Sequence, residues 1–393
     1  MDEGAASVNP RNLLTTLPGV AGKRISRTDV VRHRFHAHQL DRAPRSASSA
    51  TAVDVLDYGV QDTGNDGAAW ALANRGAPAA RPKDLALAWT LRGAPHAYRR
   101  ADLADVAVAT APFGEADAAK RIYDAARPLK AAKIPVLDAL TEVADHMRAI
   151  ATKPTAKGEM SGRLTTALGP EYLRFCRPCN ATHIFEMPFR LAALQAGLEL
   201  EAHTSPPVLR RVTGMKAPHY GHLADDASPQ FDVIRNYLRF FGPGSARHVA
   251  AFVEAPLKDI QAHWPSDAVE VWLAGGSKEP CFVLGNLATP AASPRVVRLL
   301  GPFDPYLQLR DRELLVSGEA ERKDLWRTLG RPGAIVADGE ILGTWRPKTS
   351  GRKLTVILNP WSPLKPKDRA LVKEQAERLA DHRQATLTAV TEP

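Results

Sequence analysis

Two short segments of this 393-residue chain hold side chains at spacings that can support chemistry. In CRPCNATH, Cys176-x-x-Cys179-x-x-x-His183 has the spacing of soft donors around a tetrahedral Zn²⁺ ion. A closed structural site needs a fourth ligand; Cys281, Glu186 or water are candidates without spacing to support them. The same CxxC more often reads as a knuckle ahead of a helix, with two partly buried small residues. A thioredoxin-like redox pair fits less well, because no βαβ frame surrounds it. The other segment is Gln61-Asp62-Thr63, set between Gly59 and Gly64. By residue type these are turn and cap residues, Asp62 bonding its own backbone. The flanking glycines also permit a loop that turns a polar side chain inward.

A third group is basic. Arg32, Arg34, Arg45, Arg92, Arg99, Arg100, Arg163, Arg210, Arg211, Arg346 and Lys348 are candidates for a phosphate clamp. Arginines and lysines on helix faces are more often simply solvated, which favours the two on predicted ribbons, Arg92 and Arg346. His96 lies on the same predicted ribbon as Arg92, where it either approaches a bound strand or serves as a hydrogen-bonded ribbon histidine. Lys and Arg number 52 against 43 Asp and Glu, giving a net charge of +9 and a pI near 9.5. Such a surplus favours polyanionic partners, since each neutralised phosphate releases counterions.

Composition narrows the class further. Hydrophobic residues make up 44% and charged residues 24%, the balance of a soluble globular protein with several modules. No apolar run approaches the ~18 residues of a membrane span. The start, MDEGAASVNPRNLL, has neither a basic nor an apolar signal region. Three cysteines make no disulfide framework and suit a reducing cytosol.

The elements that would position these residues recur. Residues 1–22 lack periodicity and read as a flexible arm. Val30, Val31, Phe35, His38 and Leu40 then follow near-helical spacing, with Ser26 or Thr28 as cap. Helical runs follow at Val53–Leu56 and from near Asp66, and Leu85–Leu91 and Pro95–Tyr98 read as two strands around Arg92-Gly93. A short-helix set followed by a β-ribbon is a winged-helix plan. It recurs with helices at Leu137–Ile150 and Phe185–Leu194 before a ribbon through Pro206-Pro207. It recurs again with three helices over 228–264 before a ribbon through Gly275-Gly276. The last part alternates as AIVADGEILGTW around Asp338-Gly339, a strong hairpin signal, and RKLTVIL reads as the next strand. LVKEQAERLADHR reads as a covering helix. Trp70, Trp89, Trp326 and Trp345 read as core; Tyr58 either packs or stacks on a base.

PFDPYL…RDR followed by PG…DG…GTWR resembles the C-terminal module of the bacterial winged-helix, AlkZ-like DNA glycosylases. Further similar blocks are LDYGVQDTGNDGAAWALANRG, LAWTLRGAPHAYRRADL and LRFFGPGSARHVAAFVEAPL; at the first ribbon Ala94 replaces the family's usual threonine. The resemblance covers about Arg27 to Ala380. It implies an α+β fold of three tandem winged helices (23–124, 125–215, 216–290) closed by a small C-terminal β-barrel-like module with a terminal helix (291–393).

The resemblance also implies hydrolysis of N-glycosidic bonds of N7- or N3-alkylated purines, including bulky adducts or interstrand crosslinks. Family members use Gln-x-Gln or Gln-x-Asp after the second helix of the first module. Here Gln61 matches the first position, Thr63 stands at the second, and Asp62 is a further candidate for charge. The DNA-contacting set expected on this basis is Arg45, Arg92, His96, Arg210, Arg211, Arg346 and Lys348. No lysine accompanies the motif, so simple hydrolysis is expected rather than a Schiff-base lyase, with no cofactor. Double-stranded DNA is the expected partner, with no membrane, and the protein is expected to be a cytoplasmic, nucleoid-associated monomer. Thr63 in place of a second Gln or Asp also leaves open a DNA-binding protein without catalysis, a regulator or a lesion sensor. A third reading is a metal-dependent nucleic-acid enzyme built on Cys176, Cys179 and His183.

Overall fold

Short side chains set where the helices begin. In the computed structural model, which describes residues 23–64, 67–81, 83–274, 279–287 and 294–392, strand β1 (Lys23–Ile25) leads into α1 (Arg27–Ala37). Ser26 caps α1 by accepting from the Asp29 N–H at 3.1 Å. The arm expected at 1–22 and the Gly275-Gly276 turn lie outside the described residues. The run through Val53 and Leu56 is only a 3₁₀ turn, Asp54–Asp57, cut short by Gly59 at φ 93°. A Cβ on Gly59 would stand 2.4 Å from the Tyr98 ring, so the chain passes there only as glycine.

β2 (Val60–Gln61), α2 (Gly67–Ala73), β3 (Leu85–Trp89) and β4 (Pro95–Arg99) complete the first ribbon unit, with α3 (Leu103–Ala109) and α4 (Glu115–Arg121) behind it. Arg92 and Gly93 turn between β3 and β4 at φ 57° and 65°. The next segment contributes α5 (Ala126–Ala131), α6 (Val136–Ile150), β5 (Thr155–Ala156) and α7 (Lys157–Ala167). It continues with β6 (Leu173–Cys176), β7 (Ala181–Ile184), α8 (Glu186–Gln195), β8 (Leu198–Leu200) and β9 (Val208–Arg211). Helix α6 buries Val136, Leu140, Val143, Met147 and Ile150, one stripe at helical spacing.

The third segment holds α9 (Val233–Phe241), α10 (Ala246–Val253) and α11 (Leu257–Ala262), then β10 (Ala268–Leu273) and β11 (Cys281–Leu284). Asp232 caps α9 by accepting from Ile234 and Arg235 N–H groups at 2.7 and 3.0 Å. Ser245 and His248 cap α10 reciprocally. The C-terminal part comprises β12 (Val297–Leu300), α12 (Arg312–Leu315), α13 (Glu319–Leu325), β13 (Gly333–Ala337), β14 (Glu340–Ser350), β15 (Lys353–Pro360), α14 (Pro366–His382) and β16 (Thr386–Thr391). Its hairpin turns at Asp338-Gly339 with both residues at positive φ, 49° and 92°, as a two-residue turn requires. Helix α14 packs on this sheet through Val372, Ala376 and Leu379.

Sheet pairing crosses the boundaries read from the sequence. A six-stranded sheet runs β2-β4-β3-β8-β9-β5, joining the first two segments where Leu87 meets Leu200. Strand β1 pairs in parallel with β10, so the first segment also completes the sheet of the third. The C-terminal sheet runs β12-β13-β14-β15-β16 with no β12–β16 pairing among the described residues. It is an open sheet covered by α14 rather than a barrel. One apolar core contains Val31 and Leu56, Tyr237 and Phe241, and Tyr306 and Leu325, drawn from the first, third and C-terminal parts alike.

Candidate functional site

Gln61 ends β2 at the edge of the six-stranded sheet, directly opposite His96 on β4. Facing residues of an antiparallel pair project on one side, so Gln61 shares the side of His96, Ala88 and Tyr98. Its Nε2 donates to Thr63 Oγ1 at 3.1 Å. That orientation leaves Oε1 as an acceptor for an external hydrogen. Thr63 thus holds the Gln61 amide.

Asp62 projects elsewhere. Its Oδ1 accepts from the Ala68 N–H at 2.9 Å, capping α2, and its side chain lines a cleft of about 1110 Å³ with Leu85, Leu87 and Ala97. Ala97 alternates with His96 along β4, so Asp62 and Gln61 serve opposite sides of the sheet. The turn-and-cap reading of Asp62 is the one its hydrogen bond describes.

His96 is buried, its Nδ1 within hydrogen-bonding distance of Thr90 Oγ1 (3.1 Å) and Ala94 O (2.9 Å). Burial, with the Arg92 charge added, pushes its pKa down to about 3, so it is neutral near pH 7. Tyr58 is also buried, packed among Phe240, Phe241 and Phe252. Trp70, Trp89, Trp326 and Trp345 are buried as expected.

Arg92 lies over the Phe252 ring at 4.8 Å and donates to Phe252 O at 2.7 Å. Burial and then the charge of Arg310 lower its pKa to about 10. Arg331 is lowered to about 10 by burial and by Arg312, Arg310 and Arg92; Arg312 is lowered by burial and Arg310. Four guanidiniums therefore converge from the first ribbon and from the PFDP…RDR…RPG stretch. Aromatic rings hold two more of them, Phe303 under Arg331 at 5.3 Å and Trp326 under Arg312 at 5.0 Å. Among the described residues none of the four makes a carboxylate ion pair; Glu254, whose charge acts on Arg92, takes a hydrogen bond from the Tyr123 hydroxyl. Arg310, Arg312 and Arg331 were absent from the DNA-contacting set expected from the sequence. The available signal was their position in the most specific motif, two of them flanking Asp311.

The other residues of that expected set are dispersed. Arg45 and Arg210 line the Asp62 cleft, and Arg210 is bound by Glu199 at 3.0 Å. Arg211 donates to Arg148 O at 2.7 Å. Arg346 and Lys348 are exposed on the outer half of β14. Cys176, Cys179 and His183 come together on the β6–β7 ribbon, their ligand atoms all within 4.8 Å of one another. Neither side chain expected as a fourth ligand joins them. Cys281 is buried with Ile25, Val30 and Val271, and Glu186 is engaged by Lys157 and Arg190, both at 2.6 Å.

The structure is thus an α+β protein of helix-and-ribbon units with a convergent arginine cluster. The chain belongs to the AlkZ-like DNA glycosylase family, whose model matches residues 57–382. In structure it is similar to the Streptomyces sahachiroi DNA glycosylase AlkZ, at 19% identity and a TM-score of 0.70 over 94% of this chain and 100% of that one. No curated protein matches the chain. Among the described residues no helix is long and apolar enough to cross a membrane.

Proposed function

We propose that this protein is a monofunctional DNA glycosylase that hydrolyses the N-glycosidic bond of purines alkylated at N7 or N3. The observation that carries this reading is the pairing of Gln61, free to accept a hydrogen bond, with an unneutralised arginine cluster beyond His96. The arginines offer phosphate oxygens the counter-charge that the protein itself withholds. Gln61 Oε1 orients the attacking water and faces the positive charge that develops on the sugar, while Thr63 fixes the amide.

The surroundings of Gln61 favour a particular leaving group. Asp62 is committed to α2 on the other side of the sheet, and His96 is neutral and turned into the protein. Neither protonates a departing base at neutral pH. A purine alkylated at N7 or N3 is already cationic and leaves without an acid, so this site suits it and not an undamaged base. The lack of a lysine at the motif supports hydrolysis without strand cleavage. Bulky adducts and crosslinked duplexes extend the same class, since their purine is equally cationic.

In this reading the three helix-and-ribbon units act as winged helices on double-stranded DNA, and one chain supplies what winged-helix dimers assemble from two. The protein then works as a monomer on cytoplasmic, nucleoid DNA. Excision of N7-methylguanine from a duplex, scored as alkali-labile sites, tests the proposal. Abasic product that disappears in Gln61→Ala supports it. Salt-sensitive DNA binding with no product on methylated or crosslinked duplexes favours the non-catalytic reading, to which Thr63 in place of a second Gln or Asp points.

A further inference from the structure

The β6–β7 ribbon forms a two-stranded sheet of its own, separate from the sheet that carries Gln61. Its register places Cys176 opposite Ala181 and Arg174 opposite His183. Residues 177–182 between them are exposed, and Asn180 turns the chain at φ 48°. Nothing in the proposed glycosylase chemistry uses this ribbon. Yet two thiols and an imidazole meet at its tip, with Cys176 partly covered and Cys179 exposed.

From this geometry we infer that the tip of the β6–β7 ribbon is a Zn²⁺ site, with Cys176 Sγ, Cys179 Sγ and His183 Nε2 as protein ligands and a water in the fourth position. The ring orientation of His183 supports the choice of atom. Its Nδ1 lies 2.8 Å from the Ile184 carbonyl, which can only accept, so Nδ1 carries the hydrogen and Nε2 presents its lone pair. A backbone carbonyl fixing the tautomer of a ligating histidine is the usual outer partner of a zinc site. The donor set is two soft sulfurs and one nitrogen, which selects zinc over magnesium or calcium. The three ligand atoms lie within 4.8 Å of one another, so closing a tetrahedron takes a small contraction of a turn that is exposed and unencumbered. Both thiols give their protons to solvent as the ion binds. The ion then pins the 177–180 turn and orients the neighbouring Phe175, a large apolar side chain that is 59% exposed.

The test uses the full chain, freed of metal under reductant and titrated with Co²⁺. One equivalent is expected to produce thiolate-to-cobalt charge-transfer absorption, which Zn²⁺ then abolishes by displacement. Cys176→Ser and His183→Ala each weaken Zn²⁺ binding on the order of 100-fold, because a three-ligand site loses one of its few donors. As a second readout, Zn²⁺ slows amide exchange over residues 177–182 at least about tenfold in the wild type and not in the variants, as expected for pinning a locally opening turn. No charge-transfer absorption with excess Co²⁺, or absorption that persists in both variants, overturns the assignment. So does a Cys176–Cys179 disulfide that survives reductant and blocks cobalt. Because the ribbon stands apart from the Gln61 sheet, these readouts succeed or fail independently of excision activity.

Discussion

Arg75 and Asp304 form a bidentate ion pair from which water is excluded, with N–O distances of 2.9 and 2.8 Å and both side chains 0% exposed. Arg75 follows α2 in the first segment, and Asp304 belongs to the PFDP motif 229 residues away. A few residues on, Arg34 of α1 meets Asp311 at 2.6 Å while donating to Gly242 and Pro243 carbonyls. The most recognisable stretch of the sequence therefore acts as a clasp. Its aspartates receive arginines from the first segment, while its own arginines stay partly buried, Arg312 over Trp326 and Arg331 over Phe303.

Breaking that clasp from one side strands a charge in the core. Asp304→Ala is expected to lower stability by about 3–5 kcal/mol, the usual cost of leaving a buried partner unpaired. Urea unfolding measures this. Pairing Asp304→Leu with Arg75→Met recovers most of the loss, because neither charge then remains to be desolvated.

Gln61→Ala is expected to slow single-turnover excision of N7-methylguanine by about 100-fold or more, the scale of removing one preorganised polar group from the transition state. Thr63→Val removes only the hydroxyl that holds the amide, and a decrease of about tenfold is expected from the misplacement. Equal decreases in the two variants would mean that Thr63 touches the reacting atoms itself.

Asp62→Ala separates cap from catalyst. Removing the hydrogen bond to the Ala68 N–H is expected to cost about 1 kcal/mol of stability. Excision at a temperature well below unfolding stays within twofold of wild type. A drop comparable to Gln61→Ala would place Asp62 in the chemistry after all.

His96 carries a pH signature. Its folded pKa, about 3, lies below the unfolded value near 6.5, so the unfolded chain binds the extra proton. This contribution is therefore full above pH 6.5 and declines as pH falls from there toward 3. Between pH 7 and pH 5 the decline attributable to His96 is about 2 kcal/mol. It is read as the difference in pH dependence between wild type and His96→Phe, which lacks the titrating ring.

Removing a clamp arginine changes the salt dependence of binding. Arg310→Ala or Arg331→Ala is expected to reduce the slope of log K against log salt by about 0.9 for each phosphate that the variant no longer neutralises. Arg352→Ala, an exposed arginine on the β14–β15 turn, leaves the slope unchanged. Fluorescence anisotropy on an undamaged duplex suffices, since the effect does not require a lesion.

What the sequence determined by itself is local. Ser26 marks a helix start, Asp338-Gly339 marks a hairpin, and Leu137–Ile150 marks a helix, because capping, turn type and periodicity act within a few residues. Family membership was legible for a related reason: the PFDP…RDR and GTWR stretches are dense in residues with demanding local roles.

Only the tertiary structure decided what crosses long separations. Nothing near Lys23 announces that β1 pairs with β10, and Thr386–Thr391 gives no sign that it returns parallel beside β15, since register there is set by neighbours hundreds or tens of residues distant. The same holds at the candidate site. Gln61 and Asp62 are adjacent in sequence, yet the two-residue repeat of a strand and the pairing with β4 send them to opposite sides. Arg310, Arg312 and Arg331 read as ordinary charges in the sequence; in the fold Asp304 and Asp311 take Arg75 and Arg34, and among the described residues those three lie near Arg92 with no carboxylate ion pair. Charge type is written in the sequence, but which charges are neutralised is settled only when distant segments pack.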